Sequence, residues 1–180
     1  SYGEPLLDGR LPSFCSYIRE KIPLASISIY TNGELLNIDW YKKLVSAGVN
    51  KFRVTQHLEN ESKGTLDVIR YREKQDFDNI EFTYTRLNNI NSRGGLVDVD
   101  EGKLRQECNY PDHHVGISFD GQILICCNDY LNEAKVGNVK DEKLIDIWQK
   151  PIYKDIRTNI RSGNFTLDIC KNCTDGKVYT

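Results

Sequence analysis

Short apolar strands alternate with amphipathic helices through the first half of this chain, and that alternation constrains its fold more than any other feature. Ala25–Tyr30 is strand-like, with β-branched residues running to the turn dipeptide Asn32-Gly33. Asn37 caps a helix on which Tyr41, Leu44 and Val45 share a face, and Gly48 stops it. Lys51–Gln56 reads as the next strand, residues 62–74 as a helix and Ile80–Thr85 as a third strand. Ahead of them, Pro12 opens a helix in which Phe14, Ile18 and Ile22 form an apolar stripe at four-residue spacing, and Pro23 ends it. Strand–helix–strand units of this length require parallel strands joined by right-handed crossovers. The unit recurs about every 25–30 residues, the rhythm of a barrel or a doubly wound sheet. The expected class is α/β.

After Gly94-Gly95 the rhythm changes. Val115–Phe119 and Gln122–Cys126 flank Asp120-Gly121, which predicts a β-hairpin closed by a tight primed turn. Short helices are expected over 141–149 and 151–162, the second with Pro151 in its first turn. A boundary near 95–105 follows, giving one domain over 1–95 and a smaller α+β domain over 96–180.

The six cysteines sharpen this division. Cys15 stands alone on the first helix beside Phe14, as a core thiol would, while Cys108, Cys126, Cys127, Cys170 and Cys173 all follow residue 107. A secreted disulfide framework spreads its cysteines through a small, loop-rich chain, so this clustering points to metal instead. Four thiolates from Cys108, Cys126, Cys170 and Cys173 suit either zinc or an iron–sulfur cluster. Zinc commonly takes two tight Cys pairs, and only Cys170-x2-Cys173 is tight here. The bland alternative makes Cys108 a surface thiol and Cys126 or Cys127 a small core residue. Charge excludes other classes. With 24 basic against 26 acidic residues there is no excess to hold a phosphate backbone, so general nucleic-acid binding is not expected. No apolar run approaches a membrane span and no leader opens the chain, so a soluble, cytoplasmic protein with no membrane partner is expected.

Cys108, twelve residues, Gly121, four residues, Cys126 and a distant Cys170-x2-Cys173 resemble the auxiliary-cluster extension of radical S-adenosylmethionine (radical SAM) enzymes. That extension is called SPASM in its seven-cysteine form and twitch in its shorter, one-cluster form. Ile125–Asp129, Val136–Asn138, Leu144–Trp148 and the pair Arg157 and Arg161 resemble it too. The further cysteines that follow in a full SPASM domain are absent after Cys173, so the resemblance implies one auxiliary 4Fe-4S cluster on the four named cysteines.

The first half carries matching motifs. Gly3-Glu4-Pro5 resembles the Gly-Gly-Glu-Pro turn that holds the methionyl amino group of S-adenosylmethionine, with Tyr2 in place of a glycine. Glu4 suits an ammonium because carboxylates form charge-assisted hydrogen bonds with it, although an N-terminal surface acid is the plain alternative. Thr31-Asn32-Gly33 and Asn91–Gly95 also resemble family motifs. The resemblance implies a partial (β/α)6 barrel, with the cofactor at the carboxyl ends of its strands. That places Thr31, Gln56 and Arg86 at the rim, Gln56 toward the ribose or carboxylate and Arg86 toward the carboxylate. A loop amide and a solvated arginine are the alternatives. His113-His114 reads as an exposed turn pair.

Radical SAM chemistry needs a Cys-x3-Cys-x2-Cys loop, which these residues lack; the chain also holds no Met and begins in mid-domain text. A segment ahead of Ser1 bearing that triad and a second 4Fe-4S cluster is therefore expected. The implied activity is generation of a 5′-deoxyadenosyl radical that modifies a peptide or small molecule, with a reductant such as flavodoxin or ferredoxin as electron donor. The rival is a non-catalytic zinc- or cluster-binding module that recognises peptides.

Overall fold

The computed structural model describes residues 3–75, 79–86, 91–99 and 103–174. Tyr2 and part of the expected boundary, residues 100–102, lie outside them. Two compact units emerge, one spanning Gly3–Leu87 and the other taking in the described residues from Asn91 onward.

In the first unit a single turn of 3₁₀ helix at Pro5–Leu7 precedes α1 (Leu11–Lys21), β1 (Ser28–Thr31), α2 (Ile38–Ser46), β2 (Lys51–Gln56), α3 (Lys63–Glu73) and β3 (Glu81–Arg86). The strands form a parallel sheet in the order β1-β2-β3, with Ser28 opposite Lys51 and Gln56 opposite Arg86. β1 starts three residues later than the sequence predicts because its partner strand begins only at Lys51. Before that point the Asn50 side chain stands in for a strand, accepting from Ile27 N at 3.1 Å.

Alternation along β2 buries Phe52, Val54 and Gln56 on one face. Tyr41 and Leu44 of α2 and Val68 of α3 pack into the same core. The Tyr41 and Phe52 rings lie 4.9 Å apart, and Phe52 stands 6.0 Å from Phe82. Asn37 caps α2 by accepting from Trp40 N at 2.9 Å, and Ser62 caps α3. The opposite sheet face is half-exposed and charged, with Lys51 and Arg53 both paired to Glu81.

The apolar stripe on α1 is not the buried one. Phe14, Ile18 and Ile22 are 48%, 38% and 59% exposed, whereas Cys15 is buried and Leu11 packs on the core. The seam continues to Arg19, whose guanidinium donates to Gly48 O at 2.7 Å and Asn50 Oδ1 at 2.6 Å. An arginine fills the core-facing position because two loop acceptors wait for it, a preference that periodicity does not reveal.

The second unit has little regular structure. It contains α4 (Tyr110–His113), β4 (Gly116–Ile117), β5 (Ile123–Leu124), α5 (Leu144–Gln149), α6 (Pro151–Arg161) and α7 (Asp168–Lys171). β4 and β5 pair antiparallel at two positions. The connection is not a primed turn, which needs positive φ at its first central residue, here Asp120. Only Gly121 is positive, at φ 88°, while Gly121 N donates to Ser118 O and Ser118 N to Gln122 O, each at 3.0 Å. That is a turn over Ser118–Gly121 followed by a glycine bulge. Ile123, Ile125, Val136, Ile147, Tyr153, Ile160 and Ile169 form this unit's core. Arg157 is buried in it, stacked 4.0 Å from the Trp148 ring and 4.5 Å from Tyr153, with Asp112 at 4.0 Å.

Asn91–Gly95 packs with the second unit, although the sequence places it before the boundary. Ser92 Oγ donates to Asn172 O at 2.6 Å and accepts from Thr174 N at 3.1 Å. A Cβ on Gly94 would stand 3.0 Å from Ile169, so only glycine lets this turn lie against the residues around Cys170.

Candidate functional site

Cys108, Cys126, Cys170 and Cys173 line one small cavity of about 30 Å³, with Pro111, Ile125, Ile160, Phe165 and Ile169 supplying apolar walls. Each thiol arrives on a different support. Cys108 N donates to Ile160 O at 3.2 Å, which fastens its segment to the end of α6. Asp112, in the helix that follows, is held by Arg161 at 3.1 Å and faces Arg157. Cys126 leaves β5 and heads a loop organised by Asp129, a fully buried carboxylate. Its oxygens accept from Glu133 N at 2.7 Å and Ile125 N at 3.4 Å. Cys170 sits in α7, whose first amides, Asp168 N and Ile169 N, donate to the Glu133 carboxylate at 2.7 and 3.0 Å. Asp129 therefore holds Glu133, and Glu133 holds the helix that carries Cys170. Cys173 closes that turn, and its carbonyl accepts from Arg105 N at 2.9 Å.

Burial pushes the Cys126 and Cys170 thiols up to about 12, and the neighbouring cysteines push the same way. Neutral thiols therefore prevail near pH 7, and metal binding must expel their protons. Burial also raises the Asp129 carboxyl, against two backbone hydrogen bonds that favour its charge. Cys127 is exposed and outside the cavity lining, so the adjacent cysteines point apart, although both lie in the bend and turn after β5 and not on a strand. Among the described residues no group of three or more Cys, His, Asp or Glu side chains is arranged to hold a single ion. A cubane distributes its thiolates over separate irons, and a soft, all-sulfur donor set in an apolar wall fits that group by chemistry.

At the other site, Thr31, Gln56 and Arg86 are the last residues of β1, β2 and β3. Glu4 caps the Pro5–Leu7 turn, accepting from Leu6 N at 3.0 Å. Its carboxylate also accepts from Thr31 Oγ1 at 2.7 Å and Asn32 N at 2.9 Å. Gly3–Pro5 is thereby tied to the end of β1. Gln56 is buried beside Val54, and its amide donates to Leu58 O at 2.6 Å and Glu59 O at 3.1 Å while accepting from Tyr84 OH at 2.6 Å. Both of its donors are engaged within the chain. Arg86 is exposed and 3.9 Å from Glu61. A cavity of about 170 Å³ adjoins these strand ends, lined by Asn32, Glu34, Gln56, His57, Leu58, Asn60 and Ser62. His114 is exposed and stacks on Tyr110 at 4.1 Å; neither it nor His113 lines the thiol cavity.

Asn128, Asp129 and Glu133 carry much of this organisation, yet in the sequence Asn128 and Asp129 are only letters of a motif and Glu133 has no signal. A carboxylate that caps a helix thirty-odd residues away leaves no local pattern.

The SPASM iron–sulfur cluster-binding domain matches residues 108–174. The S-adenosyl-L-methionine-dependent 2-deoxy-scyllo-inosamine dehydrogenase of Niallia circulans is 30% identical over 184 aligned positions, covering 99% of this chain and 72% of that protein. This chain belongs to the radical SAM enzymes that carry a SPASM-type iron–sulfur domain. Among solved structures, the crystal structure of BtrN in complex with AdoMet and 2-DOIA matches with a TM-score of 0.82 and 30% identity over 97% of this chain and 70% of that one. BtrN in an open conformation matches with a TM-score of 0.73 and 26% identity, over 97% and 68%. Membership of a radical SAM enzyme family sets aside the non-catalytic peptide-binding rival. No helix among the described residues is long and apolar enough to cross a membrane.

Proposed function

We propose that this enzyme is an S-adenosylmethionine-dependent dehydrogenase that converts a secondary alcohol of a small polyol or amino-polyol to a ketone. The observation that carries the reading is likeness to a named dehydrogenase of that chemistry along 99% of the chain, both units included. When bound, S-adenosylmethionine and the iron–sulfur cluster supply a hydrogen-abstracting 5′-deoxyadenosyl radical and an acceptor for the electron the substrate gives up.

The residues divide the work. Cys108, Cys126, Cys170 and Cys173 hold the auxiliary 4Fe-4S cluster, and the apolar walls keep water from it. In a partial (β/α)6 barrel, Gly3–Pro5, Thr31 and Asn32 border the S-adenosylmethionine site. Three of the roughly four acceptor positions of Glu4 are already filled by Leu6, Thr31 and Asn32. Its main contribution is to fix the turn, leaving one lone pair and the turn's carbonyls for an ammonium. Gln56 shapes the 57–60 loop from beneath, and Arg86 at the exposed rim is open to a carboxylate. The domain boundary then falls ahead of Asn91, because the 91–95 turn serves the cluster loop.

The test is anaerobic turnover of the reconstituted enzyme, with any segment encoded ahead of Ser1 included. With dithionite, S-adenosylmethionine and 2-deoxy-scyllo-inosamine, 5′-deoxyadenosine and a ketone should form in equal amounts. Formation of 5′-deoxyadenosine without ketone, across a panel of polyols and amino-polyols, would remove the proposed substrate class. Glu4→Ala should weaken S-adenosylmethionine binding and loosen residues 3–7 together, since three hydrogen bonds are lost at roughly 0.5–1.5 kcal/mol each.

A further inference from the structure

Asn128 is buried and lines the same cavity as the four thiols. Its backbone N–H donates to Cys126 Sγ at 3.4 Å, and its side-chain Nδ2 donates to Cys173 Sγ at 3.7 Å. The amide is oriented from behind, where Oδ1 faces the Cys127 thiol at 4.0 Å. One residue therefore addresses two sulfurs that lie far apart in sequence, that of Cys126 beside it and that of Cys173 near the end of the described chain.

A metal-bound thiolate is an acceptor only, so this orientation, with NH₂ toward sulfur, is the one a loaded site keeps. Hydrogens aimed at cluster sulfurs stabilise the reduced, more negative form over the oxidised form, and so raise the reduction potential. Pro111, Ile125, Ile160, Phe165 and Ile169 make the surroundings poorly polarisable, which magnifies each aligned dipole. The carboxylate of the next residue, Asp129, has its oxygens turned to Ile125 N and Glu133 N instead.

We infer that Asn128 sets the reduction potential of the auxiliary cluster, raising it through hydrogen bonds to the sulfurs of Cys126 and Cys173 so that the cluster accepts an electron from substrate. The inference rests on the reading that these cysteines hold that cluster. Asn128 acts through the ligands; it does not touch the substrate.

The experiment uses this chain reconstituted anaerobically with iron and sulfide, its metal content measured first, followed by an EPR-monitored redox titration of wild type and Asn128→Leu. Leucine keeps the branched side-chain shape and removes the side-chain donor. At a fixed solution potential the reduced-to-oxidised ratio should fall about tenfold in the variant, a shift near 59 mV for one electron. Equal midpoint potentials in the loaded fractions of the two proteins overturn the inference; a merely structural role gives that equality together with lower iron retention in the variant. If Asn128→Leu does not load, wild type carrying asparagine labelled with ¹⁵N at the side-chain amide decides. Pulsed EPR of the reduced cluster should show a nitrogen coupling, and its absence overturns the inference. A wild-type chain that takes up no iron and sulfide overturns the cluster reading, and the inference with it.

Discussion

The two units of this chain reach order by opposite routes. In the first, β1 and β2 pair at four positions and β2 and β3 at six, and an aromatic core of Tyr41, Phe52 and Phe82 fills the space beneath the helices. In the second, the ladder has two positions, and the chain is gathered by side chains bonded to backbone: Glu133 to α7 and Ser92 to the 172–174 segment across long stretches of sequence, and Asp129 to both sides of its own loop. A sheet with helices supports itself through hydrophobic burial. A unit with little ladder needs cross-links, and its thiols stand where a cluster would supply them.

The largest expected effect is that of removing the cluster. Chelating iron from the reconstituted chain should strip hydrogen-exchange protection from residues 103–174 and leave the amides of β1, β2 and β3 protected. Equal loss in both units would end the distinction drawn between them. Next is Phe52→Ala, which deletes a fully buried ring and should destabilise the first unit by about 3–5 kcal/mol in urea unfolding. Iron bound per folded chain should not change. Smaller is Glu133→Ala, which frees two helix amides and should cost about 1–2 kcal/mol, seen as faster exchange across 168–171 and weaker iron retention. Unaltered exchange there would show that α7 is held by its thiols alone.

The first unit was the more legible, for physical reasons. Lys51–Gln56 is bounded as the sequence predicts, since period-two burial and flanking polar residues mark a strand directly. Asn37 declares its helix through a local cap. The misleading stripe on α1 shows the limit: apolar spacing locates a face but does not say which face meets the core, and Arg19 took the inner position because Gly48 and Asn50 accept from it. In the second unit the four cysteines singled out by their spacing all line one small cavity, and Cys127 is exposed outside it. The supports of that cavity, Asn128, Asp129 and Glu133, bond to loops far along the chain or to backbone, which composition and periodicity do not register. Gln56 and Glu4 illustrate the same gap. A polar residue at a strand end or turn cap invites a ligand in sequence, while the fold has already given it partners.

The central claim is that one iron–sulfur cluster is held by Cys108, Cys126, Cys170 and Cys173. Iron and acid-labile sulfide, measured side by side on the anaerobically reconstituted chain and on two single variants, test it most directly. Wild type and Cys127→Ala should each bind about four iron and four sulfide per chain, and Cys126→Ala should retain neither in full. One zinc per chain with no sulfide, or a Cys126→Ala variant that keeps the cluster which Cys127→Ala loses, would contradict it.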